Sequence, residues 1–273
     1  MLLWGPDRRG LVAQAATFVA GRGGDIVHAD QHTDAEAGTF FQRIEWVPGD
    51  AEDHDDLKAA VARLAHDMSM AYRLRRSNDD RPFAVLVSKQ PHCLLDLLAR
   101  SYSGDLPGRL AVVVSNHPDH AEVTRRFGVP FHHLPVASNQ EQAIVEVLAE
   151  FGVEAVVLAR YMQILSSTVL DRWPEAVINI HHSFLPAFVG GRPYHQAHAR
   201  GVKLIGATAH YATAVLDDGP IIEQDVVRVN HRDEVDAIVH AGRDLETVVL
   251  ARAVRWHLTD RILVYGNKTV VFN

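Results

Sequence analysis

Two short stretches of this 273-residue chain hold side chains whose types and spacing could do chemistry. The first is NIHHSFLPAF, residues 179–188, where an Asn, two adjacent His and a Ser follow the apolar run 176–178. In an extended strand, residues two apart point to one side, so Asn179 and His181 share a face while His182 points the other way. An amide donor beside an imidazole suits a reaction that builds negative charge on a carbonyl oxygen. The amide binds the oxyanion, and the ring gives it a proton or a hydrogen bond. The alternative is that both side chains satisfy backbone groups where a strand meets a loop. The second stretch is GATAHYATAVLDDGPII, residues 206–222, in which strand-like 206–212 runs into a loop carrying Asp217, Asp218, Gly219 and Pro220. Asp-Gly-Pro alone reads as an ordinary turn. A carboxylate near the Asn/His pair would, however, supply a group to orient or deprotonate a nucleophile. His210 is placed either to hydrogen-bond that carboxylate or to be a half-buried histidine satisfied elsewhere.

Seventeen histidines, five of them (His181, His182, His195, His198 and His210) close in sequence, raise the question of a metal. No HExxH-type helical spacing appears, and the acidic candidates sit in a turn. The one cysteine, Cys93, can form neither an intrachain disulfide nor a thiolate cluster. Neither a metal nor a cofactor is expected. The pairs His117/His120 and His132/His133 read as loop and surface residues.

The elements that must position these groups fall into two domains, the better starting expectation for a chain of this length. Residues 1–76 read as a small α+β unit. The end of a strand at Leu2 to Trp4 leads through the Gly5-Pro6-Asp7 turn to a helix with Leu11, Ala15, Phe18 and Val19 at helical spacing. Strands at 25–33 and 39–47, a helix at 54–66 and a strand at 68–75 complete the order βαββαβ, a split βαβ pattern. Polar residues 77–82 read as a linker. From 83 to 273 the pattern is α/β: 83–88, 110–116, 154–160 and 176–181 are near-continuous apolar runs, as in parallel strands covered on both faces. Each ends in polar residues, where ligands gather in open parallel sheets. A long helix at 233–258 and a hairpin around Tyr265-Gly266-Asn267 close the chain.

A net charge of -7 and a pI near 6.2 argue against a nucleic-acid surface. Composition, 47% hydrophobic and 22% charged, fits a globular chain with no apolar run near the roughly 20 residues a membrane span needs. The start MLLWGPDRRG has no basic segment leading into an apolar core, so a cytoplasmic location is expected.

NIHHSFLPAF, GGRPYHQAHARGVKLIGATAHY and LDDGPIIEQDVVRV together resemble the formyltetrahydrofolate deformylase family of the folate-dependent formyltransferase superfamily. PDRRGLVAQ and FFQRIEW resemble an ACT domain, a small ligand-binding regulatory module. The resemblance spans essentially the whole chain. It implies an ACT-like domain followed by a mostly parallel formyltransferase-like domain, with Asn179, His181 and Asp217 as catalytic residues and Asp218 at a variable position. It further implies a folate pocket formed largely by backbone around LARYMQIL, residues 158–165, and by the loop leading to Asp217. Leu158, Met162, Gln163, Leu165, Thr213 and Leu216 are thereby implicated in substrate binding, with His210 and His182 in support. Many relatives carry Arg where this chain has Gln163. The implied reaction is metal-free hydrolysis of 10-formyltetrahydrofolate to formate and tetrahydrofolate, serving one-carbon metabolism and purine biosynthesis. The implied partners are folate and water, an amino-acid effector at the ACT-like domain, and further copies of the chain; no nucleic acid or membrane partner is expected.

Two other readings compete with hydrolysis. In amine-directed formyltransferases of the glycinamide ribonucleotide type, a glycine-rich loop after the domain's first strand cradles the acceptor's phosphate. Here that place reads Ser88-Lys89-Gln90-Pro91-His92-Cys93, with no glycine and one donor removed by proline. His182 also stands where transferases commonly have proline. A catalytically silent ligand sensor would have no chemical need to keep Asn179, His181 and Asp217 together.

Overall fold

The computed structural model describes residues 1–49, 53–186 and 193–273. Positions 187, 188 and 190–192 of the quoted motifs lie outside the described residues. The chain divides into two compact units.

The first unit runs β1 (Leu2–Pro6), α1 (Leu11–Gly21), β2 (Asp25–Asp34), β3 (Thr39–Val47), α2 (His54–Met68) and β4 (Ala71–Arg73), the βαββαβ order expected. Its sheet is antiparallel in the order β2-β3-β1-β4, which is the ACT-like arrangement. The period-two alternation of strands sends Leu3, Phe40 and Ile44 to one face, where they pack with Leu11, Ala15, Val19, Ala65 and Met68 of the two helices. Leu2 and Phe41 go to the other face and meet Leu263, Val270 and Phe272. The unit therefore includes residues 260–265 and 270–273 as well as 1–79. This departs from the expectation of a second domain running unbroken from 83 to 273. The cause is packing: the apolar C-terminal residues cover a sheet face that Leu2 and Phe41 would otherwise expose, and a fully buried Phe is worth about 2–3 kcal/mol.

The second unit comprises residues 80–259 and 266–269, so Pro82, read as linker, is already the first residue of a strand. It runs β5 (Pro82–Val87), α3 (His92–Ser103), β6 (Arg109–Ser115), α4 (Ala121–Arg126), β7 (Phe131–His133), α5 (Gln140–Glu150), β8 (Ala155–Ala159), α6 (Ser167–Leu170), β9 (Val177–His181), α7 (Pro193–Arg200), β10 (Leu204–Tyr211), β11 (Ile221–Arg228) and α8 (Val235–Leu258). The chain ends in β12 (Ile262–Tyr265) and β13 (Lys268–Val271), a hairpin turned at Gly266 with φ 55. The seven-stranded sheet has the order β11-β10-β9-β8-β5-β6-β7. It is parallel from β9 to β7, and β10 and β11 are antiparallel to their neighbours. All six residues of β5 and all five of β8 are buried, as a strand covered on both faces requires. No helix among the described residues is long and apolar enough to cross a membrane.

Two details differ from the sequence reading of the histidine pairs. His120 is buried and its Nε2 meets the carbonyl of Ser88 at 2.9 Å, while His132 and His133 lie in the short edge strand β7. Three-residue strands and single buried imidazoles leave no periodic signature.

Candidate active site

Antiparallel pairing of β9 with β10 sets Asn179 opposite His210 and His181 opposite Thr208. Directly opposed residues share a face, and so do residues two apart, so this pairing gathers all four side chains on one side of the sheet. A register slip between Ala209 and His210 against β11 sits at that point, a device that re-aims a side chain. Asp217 arrives from the loop joining β10 to β11, in the left-handed region at φ 57. Asp tolerates that conformation better than most residues, and strained backbone clusters at functional sites.

The resulting contacts form a chain. Asp217 Oδ1 lies 3.1 Å from His181 Nδ1 and 3.8 Å from His210 Nε2, with the Asp217 side chain only 9% exposed. His210 Nδ1 is 3.0 Å from the carbonyl of Tyr211, which can only accept, so that nitrogen carries the hydrogen. Burial lowers the His210 pKa, the ring is neutral, and its Nε2 offers a lone pair. Asn179 must therefore turn its Nδ2, 3.1 Å away, toward His210. One amide hydrogen is held there and the other is left to donate. His210 thus orients the amide that the sequence pairs with His181. Burial also lowers the His181 pKa, Asp217 opposes the shift, and the ring is neutral at rest. Among the described residues, His181 Nε2 is buried with no hydrogen-bond partner.

Around this centre the loops are pinned by backbone bonds. Thr208 Oγ1 donates to the Ser183 carbonyl and accepts from Leu185 N–H, which fixes the chain just beyond His182. Gly219 is required for closeness: a Cβ there would lie 1.7 Å from the Tyr211 carbonyl oxygen. At the carboxyl ends of β5, β6 and β8, Ser88 Oγ donates to Asn116 Oδ1 at 2.8 Å and accepts Met162 N–H at 2.9 Å.

The residues implicated in folate binding divide into two groups. Leu158 and Leu165 are buried in the sheet's main core, so only their backbone can face a ligand. Met162 and Leu216 are 60% and 62% exposed, and Thr213 is exposed with its hydroxyl on the Val215 carbonyl. Gln163 turns its amide back to the Met162 carbonyl at 2.8 Å, so this side chain is spent on the loop itself. His182 is half-buried, edge-on to His181 and to Tyr194 with ring centroids 5.2 and 6.0 Å away. Burial first, then the Arg160 charge, pushes its pKa down to about 3.

Sequence reasoning missed a second cluster beside the first. Glu246 of α8, 1% exposed, meets His92 Nε2 at 2.7 Å, Tyr194 Oη at 2.5 Å and Arg160 Nε at 3.6 Å. Burial alone would raise its pKa, but the His92 hydrogen bond, the Arg160 charge and the Tyr194 hydroxyl outweigh it and keep the carboxylate ionised. The clue in the sequence was an acid within the buried stripe Ile238, Gly242, Glu246, Val249, Ala253 of one helix. His92, Cys93 and Glu246 form the one group among the described residues with metal-ligand atoms in reach of each other, within 4.8 Å. The Arg160 guanidinium already lies against that Glu246 oxygen and supplies the positive charge an ion would bring.

Comparison with known proteins agrees with this architecture. The formyl transferase domain family matches residues 81–254. A formyltetrahydrofolate deformylase of Synechocystis sp. is 52% identical over 272 residues, covering 98% of this chain and 95% of its own. One from Bacillus subtilis is 45% identical over 274 residues, covering 98% and 91%. The crystal structure of a formyltetrahydrofolate deformylase from Pseudomonas syringae superposes with a TM-score of 0.96 at 45% identity, covering 100% of this chain and 93% of that one.

Proposed function

The chain belongs to the formyltetrahydrofolate deformylase family, and from that membership we propose that it hydrolyses 10-formyltetrahydrofolate to formate and tetrahydrofolate through Asp217, His181 and Asn179. The observation that carries the residue assignment is the buried contact of Asp217 with His181 on the sheet face that also holds Asn179. The Asp217 carboxylate accepts a proton as water attacks the formyl carbon. Asn179 Nδ2 donates its free hydrogen to the oxygen that becomes negative. His181 is neutral at rest, and charge developing on that oxygen favours its protonated form. The His181 Nδ1 hydrogen is already held by the Asp217 carboxylate across the 3.1 Å contact, so the proton taken from water passes from Asp217 to N10. Protonated N10 leaves, the C–N bond breaks, and formate and tetrahydrofolate separate. No step needs a metal or cofactor.

Met162, Leu216 and Thr213 would border the folate with their exposed groups, and Leu158, Gln163 and Leu165 would contribute backbone. Ser88 to Cys93 offers no glycine cradle for a phosphorylated amine, which supports water as the acceptor. The assay is formate release from 10-formyltetrahydrofolate without any amine. Turnover there supports the hydrolase, and turnover only on adding an amine would replace it with a transferase. Asp217→Asn or His181→Ala should abolish release from a folded chain.

Formate would feed purine synthesis from a cytoplasmic enzyme with no nucleic-acid or membrane partner; the net charge of -7 supports the absence of a polyanion. The first unit would bind an amino-acid effector in a homo-oligomer, a reading supported by its ACT-like sheet. Light scattering at micromolar concentration and activity across a panel of amino acids test these two points.

A further inference from the structure

We propose that Glu246 is a positioning residue for deformylation, a single buried carboxylate that holds both the start of the substrate loop and the His182–His181 ring pair. The proposal rests on the assignment of His181 to the chemistry. One arm of Glu246 is Arg160, the residue directly after β8 and directly before 161–165. Arg160 sits at φ 61, in the left-handed region that an arginine adopts only when something holds it. Its carbonyl accepts Ser88 N–H at 3.3 Å, two residues ahead of the Met162 N–H that Ser88 Oγ accepts. The ion pair at Glu246 therefore secures a backbone turn from which the implied folate loop departs.

The other arm is Tyr194, near the start of α7. Its hydroxyl donates to Glu246 Oε1 at 2.5 Å, and its ring stands edge-on to His182, which stands edge-on to His181. Gly242, one helical turn before Glu246, leaves the room: a Cβ there would lie 2.2 Å from the Tyr194 ring. The Tyr194 ring can approach α8 closely enough to reach the carboxylate only because position 242 has no side chain. His92 Nε2 takes the remaining direction at 2.7 Å. A carboxylate this buried is costly unless its partners are in place, so its partners are fixed as firmly as it is.

The test compares the full-length wild type with Glu246→Gln and Tyr194→Phe, measuring kcat and KM for formate release over a pH range, and thermal unfolding. Tyr194→Phe removes only the hydroxyl arm. It should lower kcat about tenfold with KM within about twofold, because only the histidine stack loosens. Glu246→Gln also loses the Arg160 arm, so kcat should fall about 100-fold and KM rise several-fold. Among the described residues, the groups facing Glu246 are His92 and Cys93 of α3, Arg160 after β8, His182 after β9 and Tyr194 of α7. With the carboxylate gone, the Arg160 charge is unbalanced and makes protonation of His181 harder. The acid limb of kcat should therefore move to lower pH in Glu246→Gln and stay in place in Tyr194→Phe. A merely structural role would lower the unfolding temperature and the active fraction but move neither the limb nor KM. Both variants within twofold of wild type in kcat, KM and pH profile would overturn the proposal. If Glu246→Gln does not fold, an unaltered kcat in Tyr194→Phe alone overturns it. A wild type that releases no formate would instead strike the catalytic assignment on which the proposal rests.

Discussion

Replacing Gly219 with alanine should inactivate the site without touching any group that does chemistry. The added Cβ would lie 1.7 Å from the Tyr211 carbonyl oxygen and 2.9 Å from its carbon, and real Cβ atoms essentially never come within 3.0 Å. Tyr211 cannot yield easily: it is paired to Ile178 in the sheet, and its N–H is held by the Pro220 carbonyl at 2.9 Å. The turn bearing Asp217 must move instead, by more than about 1 Å. That stretches the 3.1 Å contact between Asp217 and His181 beyond hydrogen-bond range. Misplacement of about 1 Å costs on the order of 100-fold in rate, and the overpacking itself about 1–3 kcal/mol. Steady-state formate release with thermal unfolding in parallel separates the two effects. The control is Gly21→Ala, where a Cβ meets nothing within 4 Å among the described residues and kcat should not change. A Gly219→Ala variant with kcat within about threefold of wild type would refute the claim that this turn sets the position of Asp217.

Removing the amide donor in Asn179→Ala should lower kcat about 10²–10³-fold with little change in KM, as expected for a group that acts on developing charge; initial-rate kinetics will show it. His182 should make the fold acid-sensitive. Its folded pKa of about 3 lies below the ordinary 6.5, so the unfolded chain binds the proton first. The stability this gives is complete above pH 6.5 and declines as pH falls toward 3, by about 1–2 kcal/mol at pH 5. Urea unfolding at pH 7 and pH 5 should show a smaller loss in His182→Gln than in wild type.

Much of this was legible in the sequence because periodic signals carried it. Buried parallel strands announce themselves as apolar runs, and the split βαβ order of the first unit follows from alternation and turn residues. The pairing of Asn179 with His181 follows from strand geometry alone. What the sequence hid depends on register. Nothing local says that His210 falls opposite Asn179 and settles the orientation of its amide. Glu246 lies 65 residues beyond His181 and joins the site only through the packing of α8. The C-terminal hairpin read as part of the second domain because sequence proximity favours it, whereas Phe272 and Leu263 are buried with Leu2 and Phe41.

The central claim is that water, activated at Asp217, attacks the formyl carbon. Turnover of 10-formyltetrahydrofolate in oxygen-18 water, with formate analysed by mass spectrometry, tests it most directly. The account predicts formate carrying one labelled oxygen, formed in equal amount to tetrahydrofolate, by the wild type and not by Asp217→Asn. Consumption of the formyl group only when an amine is supplied, or labelled formate from Asp217→Asn at the wild-type rate, would contradict it.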